Sequence, residues 1–138
     1  MIGSHCIKTW SSTQKSVTLS SGEAELVAVV KMSTEIFGIL QLSFEWGLEL
    51  IGQVYADSSA ALGVVKRKGN GKMRHIRVGQ LWIQEKHENG ELGYQKVAGE
   101  SNPGDLMTKY LAEKVVKKHM QMLGQYFEEG RADKSLKL

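Results

Sequence analysis

Three acidic residues lie where secondary-structure elements are expected to begin or end. Glu25 lies in the run SSGEAEL, Asp57 follows the apolar run VYA, and Asp105 lies in ESNPGDL. Carboxylate oxygens held at fixed positions are the ligands that hard divalent cations such as Mg²⁺ take in proteins. These residues are therefore candidates for cation binding if the fold brings them together.

The first of these acids belongs to a predicted helix. Ser20 is placed to cap the first turn, and Glu23 to complete a capping box with it. Apolar residues then recur every three or four positions, which predicts a long amphipathic helix from Ser21 to about Trp46. They form an apolar stripe made of Leu26, Val29, Val30, Phe37, Leu40 and Phe44. Glu25 is expected one turn into this helix, near its positive end and on its buried side. A carboxylate that only complements the helix dipole is the alternative, and taken by itself this position favours that interpretation.

The other two acids have similar alternatives. A short buried strand is predicted over residues 51–56, followed by a helix over residues 58–66, so Asp57 falls at their junction. Asp105 comes shortly after an Asn-Pro pair, which is typical of a helix start. An acid at either junction is also an ordinary helix-capping or first-turn residue. Only their joint arrangement favours a site.

The remaining pattern alternates between strands and helices. A hairpin or a bent strand is predicted from Ile7 to Trp10 and from Ser16 to Leu19, a helix from Ile76 to His87, a strand from Glu91 to Val97 and a helix from Asn102 onward. This last helix either continues to about Glu129 or breaks near Ala112. Its second half carries an apolar stripe formed by Val116, Met120, Leu123 and Phe127.

A basic stretch without acids lies between the second and third predicted helices. It consists of Lys66, Arg67, Lys68, Lys72, Arg74 and Arg77, with His75 inside it. Such a stretch can bind nucleic-acid phosphates through sequence-independent contacts that weaken with salt. A solvated loop between two helices is the alternative, and the sequence does not choose between them.

Composition limits the classes of protein that fit. The 138 residues are 41% hydrophobic and 24% charged, which fits one small domain, here assigned to residues 1–112 with a helical extension and tail over 113–138. The net charge of +3 favours anionic partners. Cys6 is the single cysteine, so no internal disulfide can form. We expect a soluble chain, because we find no signal peptide or membrane span, and the compartment is left open.

Four segments, taken in order, resemble the ribonuclease H domain at the C-terminal end of copia-type retrotransposon Pol polyproteins. They are KTWSSTQKSVTLSSGEAEL, YADSSAAL, MRHIRVGQLWIQEKHENGELGYQKV and NPGDLMTKYL, and they cover roughly Ile7 to Ala112. The resemblance implies an α/β fold, a ribonuclease H-like mixed sheet flanked by helices. The family begins with two strands, the first of which carries a catalytic Asp. No acid precedes Glu23 here, so the resemblance implies an N-terminally truncated domain.

The activity implied by the resemblance is two-metal hydrolysis of the RNA strand in an RNA–DNA hybrid. Glu25, Asp57 and Asp105 match three of the family's four catalytic, metal-binding carboxylates, with Mg²⁺ or Mn²⁺ as cofactor. The fourth carboxylate bridges both metals in the family, so metal binding is expected to be weak and cleavage impaired. The basic stretch would contact the hybrid.

The implied truncation also has a structural consequence. The family's sheet has the strand order 3-2-1-4-5, so loss of the first two strands opens an edge beside Val54. A protein partner, a second copy of the chain or a rearranged N-terminal hairpin is expected to cover that edge. The alternative function is therefore a non-catalytic interaction or scaffold subunit of a larger assembly.

Overall fold

A computed structural model of the chain describes residues 1–14, 17–71, 76 and 78–126. Within these residues the fold is mixed α/β, with four α-helices and a two-stranded parallel sheet. The chain divides into two compact units, Thr13–Asn102 and a second unit made of residues 1–12 together with residues from 103 onward. The predicted domain limits, 1–112 and 113–138, stay a prediction.

The longest element is helix α1, Ser21–Glu45, which confirms the predicted amphipathic helix. Ser20 caps it, because the Ser20 side chain accepts a hydrogen bond from the Glu23 N–H at 3.2 Å. Glu23 reaches back and accepts from the Leu19 N–H at 2.7 Å, one residue earlier than in a standard capping box. The predicted helix start is therefore formed, but the Glu23 carboxylate binds the N–H of Leu19 and not that of Ser20.

Two short strands form the centre of the larger unit. Strand β1, Gly52–Ala56, pairs in parallel with strand β2, Leu92–Lys96. The connection between them contains helix α2, Ser59–Val65, and helix α3, Trp82–Glu88, as a parallel pair requires a long crossover. The predictions for both strands and for the helix after Asp57 are confirmed.

One face of the sheet packs against helices and forms the core. The buried apolar residues are Leu26, Val29, Val54, Ala56, Ala61, Leu62, Val64, Val65, Ile76, Ile83, Leu92 and Tyr94. Tyr94 also exchanges a hydrogen bond with Ser33 of α1 at 2.9 Å, and the Ser33 hydroxyl lies 2.8 Å from the Val29 carbonyl oxygen. The opposite face carries the exposed side chain of Tyr55, so the sheet is covered on one side.

The start of β1 lies very close to its neighbours. A Cβ added at Gly52 would meet the Leu92 side chain and would lie 2.9 Å from a methyl carbon of Ile36. A residue without a side chain is therefore needed where α1 crosses the first register pair of the sheet. Among the described residues β1 has a strand neighbour on one side only.

The second unit contains a 3₁₀ helix, Pro103–Met107, and helix α4, Glu113–Met122. The long helix predicted from Asn102 is wrong at its start, because Gly104 has low helix propensity and the segment tightens into a 3₁₀ turn. The break near Ala112 is the correct alternative. Helix α4 ends before Gly124, whose φ of +68° favours glycine, and not at Glu129.

Helix α4 keeps the predicted apolar stripe over its described part. Leu123 is buried, and Val116 and Met120 are partly buried. His119, which the prediction did not include, is also buried, because it lies between them at helical spacing. Phe127 lies outside the described residues.

Two further predictions need correction. Residues 7–14 and 17–20 contain no strand, so the hairpin or bent strand predicted there does not form within the described residues. A strand requires a neighbour for its backbone groups, and the described part of the chain offers none to this segment. The third helix begins at Trp82 and not at Ile76, after a short 3₁₀ turn over Val78–Gln80.

Helix α1 has a further property of length and composition. It is long and apolar enough to cross a membrane, as the core helix of a soluble protein or a signal sequence also can be. Its inner face packs against the sheet. The expectation of a soluble chain without a membrane span stays a prediction.

Candidate functional site at the carboxyl edge of the sheet

The carboxyl ends of β1 and β2 meet because the two strands are parallel and in register. Ala56, the last residue of β1, pairs with Lys96, the last residue of β2. The pairing continues one step further, since the Val97 N–H donates to the Ala56 carbonyl oxygen at 3.0 Å. Asp57 and Lys96 are thereby held at the same edge. Such edges are where open parallel sheets bind ligands.

Asp57 has a carboxylate that the rest of the described chain leaves unpaired. The residue is partly buried, and it makes no hydrogen bond or ion pair with any residue that the structure describes. Its Oδ2 lies 3.8 Å from the position that a Cβ would occupy on Gly99. Ser58 caps α2 instead, accepting from the Ala61 N–H at 3.2 Å. The interpretation of Asp57 as an ordinary helix cap is therefore wrong.

Lys96 brings a positive charge to the same edge. Its Nζ donates to the Ser59 hydroxyl at 2.6 Å, and the residue is otherwise exposed. No carboxylate of the described residues lies within ion-pair distance of this ammonium group. The edge therefore presents one carboxylate and one ammonium group, each without an oppositely charged protein partner in the described chain.

Glu25 is on the exposed side of α1, so the predicted buried-side position is wrong. Leu26 and Val29 set the inward face of the helix, and Glu23 is the acid that shares it, at 9% exposure. The 100° step between successive helical residues turns Glu25 away from that face. The sequence therefore identified the correct turn of the helix but the wrong acid as buried.

Asp105 lies in the 3₁₀ helix of the second unit. Its carboxylate forms an ion pair with Lys109, one helical turn later, at 2.9 Å. The Asp105 side chain is 14% exposed. The Lys109 contact neutralises a carboxylate that the resemblance assigns to metal binding.

The described residues do not form a group of three or more acidic, His or Cys side chains that could hold a metal ion. Of the three predicted ligands, Asp57 is the one without a partner among the described residues, since Asp105 is paired with Lys109 and Glu25 has an interaction of its own. Mg²⁺ needs several hard oxygen ligands, of which the Asp57 carboxylate supplies only a part. The joint site of Glu25, Asp57 and Asp105 stays a prediction.

The basic stretch is described only in part. Lys66, Arg67 and Lys68 lie in the described loop after α2, whereas Lys72, Arg74, His75 and Arg77 lie outside the described residues. Arg67 turns inward, donating to the Asn70 carbonyl oxygen at 2.7 Å. Lys68 forms an ion pair with Glu88 of α3 at 2.5 Å. Two of these three cations are therefore engaged within the protein.

Gln84 fixes the shape of this basic loop, residues 66–71. Its Nε2 donates to the carbonyl oxygens of Val64 at 2.8 Å and Gly69 at 3.0 Å. Its Oε1 accepts from the Gly69 N–H at 3.0 Å. The sequence prediction missed both Gln84 and Lys96. The rule that parallel strands end at one edge could have indicated Lys96, but no sequence signal indicates Gln84.

The opposite end of the sheet is apolar. Phe44, Trp46, Leu48 and Ile51 are all more than half exposed at the end of α1 and in the loop that leads to β1. A groove of about 450 Å³ lies there, lined by Phe37, Leu40, Gln41, Phe44, Leu48, Glu49, Leu50 and Glu91. Phe44 was predicted to belong to the inward apolar stripe, but it is 69% exposed. The stripe therefore leaves the core before the helix ends.

These features define a small α/β protein with a charged carboxyl edge and an apolar amino edge. No family model matches the chain, and no solved structure matches it. The chain is 33% identical over 104 residues, 73% of its length, to the "Retrovirus-related Pol polyprotein from transposon TNT 1-94" of Nicotiana tabacum. The chain spans 8% of the length of that polyprotein. It is thus related to a segment of a retrotransposon Pol polyprotein.

Proposed function

We propose that this chain is a ribonuclease H-like segment of a retroelement Pol polyprotein. In this proposal the chain binds RNA–DNA hybrids, while its ancestral hydrolysis of the RNA strand is impaired. The single observation that supports it most is the unpaired Asp57 carboxylate at the carboxyl edge of a parallel strand pair. The relationship to a Pol polyprotein and the ordered motifs around Asp57 point in the same direction.

The residues at this edge suggest a limited mechanism. Asp57 can accept a hydrogen bond from, or orient, a water molecule near a bound phosphodiester. Efficient phosphodiester cleavage in such enzymes relies on two metal ions about 3.5–4 Å apart. Because the described residues do not gather the carboxylates for such a pair, we expect binding without efficient cleavage. In this proposal, Mg²⁺ or Mn²⁺ is the cofactor of the ancestral hydrolysis.

The test compares binding and cleavage on matched substrates. Fluorescence anisotropy would measure binding of the chain to an RNA–DNA hybrid and to a DNA duplex of the same sequence, and gel electrophoresis would measure cleavage with Mg²⁺ or Mn²⁺. We expect tighter binding of the hybrid and cleavage close to the background rate. Equal affinity for both duplexes would contradict a hybrid-binding function. Strong cleavage that disappears in Asp57→Asn would instead show that the activity is not impaired.

A second candidate function is a non-catalytic interaction subunit. The exposed apolar residues at the end of α1 favour it, since exposed apolar patches of this kind mark protein contacts. Glu45 and Glu49 flank this patch, and the last turn of α1 has no basic residue to complement its negative end. The complementary partner would be an apolar protein surface with basic residues at its rim. Analytical ultracentrifugation would measure the oligomeric state of the unaltered chain and of the control variant Trp46→Lys. A chain that associates when unaltered but is monomeric as Trp46→Lys self-associates through this patch.

A further inference from the structure

We propose that Lys96 contacts a backbone phosphate of the nucleic acid that lies against Asp57. This inference rests on the proposed function and adds a binding residue to its site. It assigns the positive charge needed at the carboxyl edge to a strand residue outside the basic stretch. Three features of the edge support it: the charge of Lys96, the position of its ammonium group and the surroundings of Asp57.

The first feature is the charge of Lys96, which differs from that of four other lysines in having no acidic partner among the described residues. Lys68, Lys86, Lys109 and Lys117 each form an ion pair with an acid, at 2.5, 2.8, 2.9 and 2.6 Å. Lys96 has no acidic partner among the described residues, and its hydrogen bond goes to the neutral hydroxyl of Ser59. Its charge is therefore available to an anionic ligand. A lysine whose charge is already balanced attracts a phosphate less strongly.

The second feature is the restrained position of the Lys96 ammonium group. A free lysine side chain loses rotamer entropy when a ligand immobilises it. The 2.6 Å hydrogen bond to Ser59 restrains Nζ before any ligand arrives. An ammonium group has three N–H donors, so two remain after this bond. Lys96 can thus donate to a phosphate oxygen while Ser59 keeps it in place.

The third feature is the space and charge around the Asp57 carboxylate. Gly99 borders the Asp57 carboxylate and has no side chain to cover it, and a Cβ there would lie 3.8 Å from Oδ2, at ordinary contact distance. A bare carboxylate repels a phosphodiester, so nucleic acid can approach Asp57 only if a nearby cation offsets the repulsion. Lys96 is the cation that the strand register holds at this edge. Phosphate binding by Lys96 therefore makes the Asp57 edge accessible to nucleic acid.

The experiment measures how binding depends on salt in Lys96→Gln, Lys96→Arg and a matched control, Lys117→Gln, which removes a lysine that is ion-paired with Glu113 outside the basic stretch. Each phosphate contact contributes about 0.9 to the slope of log K against log salt on a DNA duplex. We expect Lys96→Gln to reduce this slope by about 1 on both the hybrid and the DNA duplex. Lys96→Arg should keep the slope, and Lys117→Gln should change it by less than half as much. Far-ultraviolet circular dichroism and thermal melting check that each variant is folded.

The outcomes separate this inference from the proposed function. A preference for the hybrid with an unchanged slope in folded Lys96→Gln overturns the role of Lys96 and leaves the proposed function standing. A reduced slope on both duplexes without preference for the hybrid supports the role of Lys96 and contradicts the proposed function. Failure of the unaltered chain to bind either duplex at low salt overturns both.

Discussion

The basic loop and the carboxyl edge of the sheet both carry positive charge, but they differ in how that charge is used. In the loop, Glu88 offsets the charge of Lys68, and Arg67 is held by the Asn70 carbonyl oxygen inside the loop. At the edge, Lys96 has a neutral hydroxyl as partner. The number of basic residues in a segment therefore does not measure the charge that it offers to a ligand.

The largest expected effect comes from disrupting the sheet that holds the carboxyl edge. Gly52→Ala would place a methyl group against Leu92 and Ile36, at the first register pair of the sheet. Such overpacking typically costs about 1–3 kcal/mol in the free energy of unfolding. Urea denaturation followed by circular dichroism would measure it, with hydrogen exchange to show whether β1 and β2 lose protection before α3.

Gly38→Ala is the matched control for that change. Gly38 lies inside α1, and a Cβ there meets no atom within 4 Å. Replacing a mid-helix glycine with alanine is expected to stabilise the protein by about 0.5–1 kcal/mol. If both substitutions shift the urea midpoint in the same direction, the close packing assigned to Gly52 is wrong.

A smaller effect on the free energy of unfolding is expected when the hydrogen bonds that hold the basic loop are removed. Gln84→Leu removes three hydrogen bonds to the backbone and leaves groups of Val64 and Gly69 without that partner. We expect a loss of about 1 kcal/mol, which arises mainly at the partly buried bond to Val64, because Gly69 is exposed and water can replace its bonds. Hydrogen exchange should accelerate at residues 66–71 and not at β2. Gln121→Leu on α4, where the side chain is exposed, is the control.

Alkaline pH should affect the sheet more than the loop. Burial raises the pKa of the Tyr94 phenol above its ordinary value of 10.0, although the hydrogen bond with Ser33 opposes the shift. A raised pKa means that the folded state holds this proton more tightly than the unfolded chain does. The contribution of Tyr94 to stability is therefore complete below about pH 10 and falls as pH rises through the folded pKa.

Thermal melting between neutral and alkaline pH would measure this loss. Tyr94→Phe has no phenol to ionise, so its melting temperature should fall less steeply over the alkaline range. Tyr126→Phe provides a control at an exposed tyrosine. Parallel alkaline curves for Tyr94→Phe and the unaltered chain would contradict the assigned burial effect.

The smallest expected effect concerns the ion pair of the loop. Glu88→Gln removes the acidic partner of Lys68, and both side chains are largely exposed. Surface pairs of this kind contribute about 0–1 kcal/mol, so the melting temperature should hardly change. Nucleic-acid affinity at low salt should rise, because Glu88 would no longer offset the charge of Lys68. An affinity equal to that of the unaltered chain would mean that Lys68 does not face the ligand.

Local signals predicted the elements better than they predicted the site. Helix α1 and strand β2 follow from capping residues and from alternation, which are properties of a few neighbouring residues. The partner of Lys68 and the clamp formed by Gln84 depend on α3 folding back over the loop. Such contacts join residues distant in sequence, and a single sequence carries no pattern for them.

The errors have physical reasons too. The segment from Ile7 to Leu19 has the composition of a strand, but a strand is defined by its neighbour, and the sequence does not supply one. The acid on the inner face of α1 is Glu23 and not Glu25, a difference of two helical steps. Placing an acid in the first turn of a helix does not say which side of the helix it is on. The apolar residues Leu26 and Val29 define the inward side, and only they distinguish Glu23 from Glu25.

The apolar amino edge gives this protein a built-in optical reporter. Trp46 is 71% exposed at the end of α1, whereas the ring of Trp82 packs against that of Phe37, with 5.6 Å between the centroids. Acrylamide should therefore quench the emission of Trp46 more strongly than that of Trp82. Strand β1, Gly52–Ala56, extends for about 16 Å between the apolar end of the sheet and Asp57, at roughly 3.3 Å per residue. In a Trp10→Phe background, changes in the quenching of Trp46 would report events at the apolar end independently of a ligand at the other.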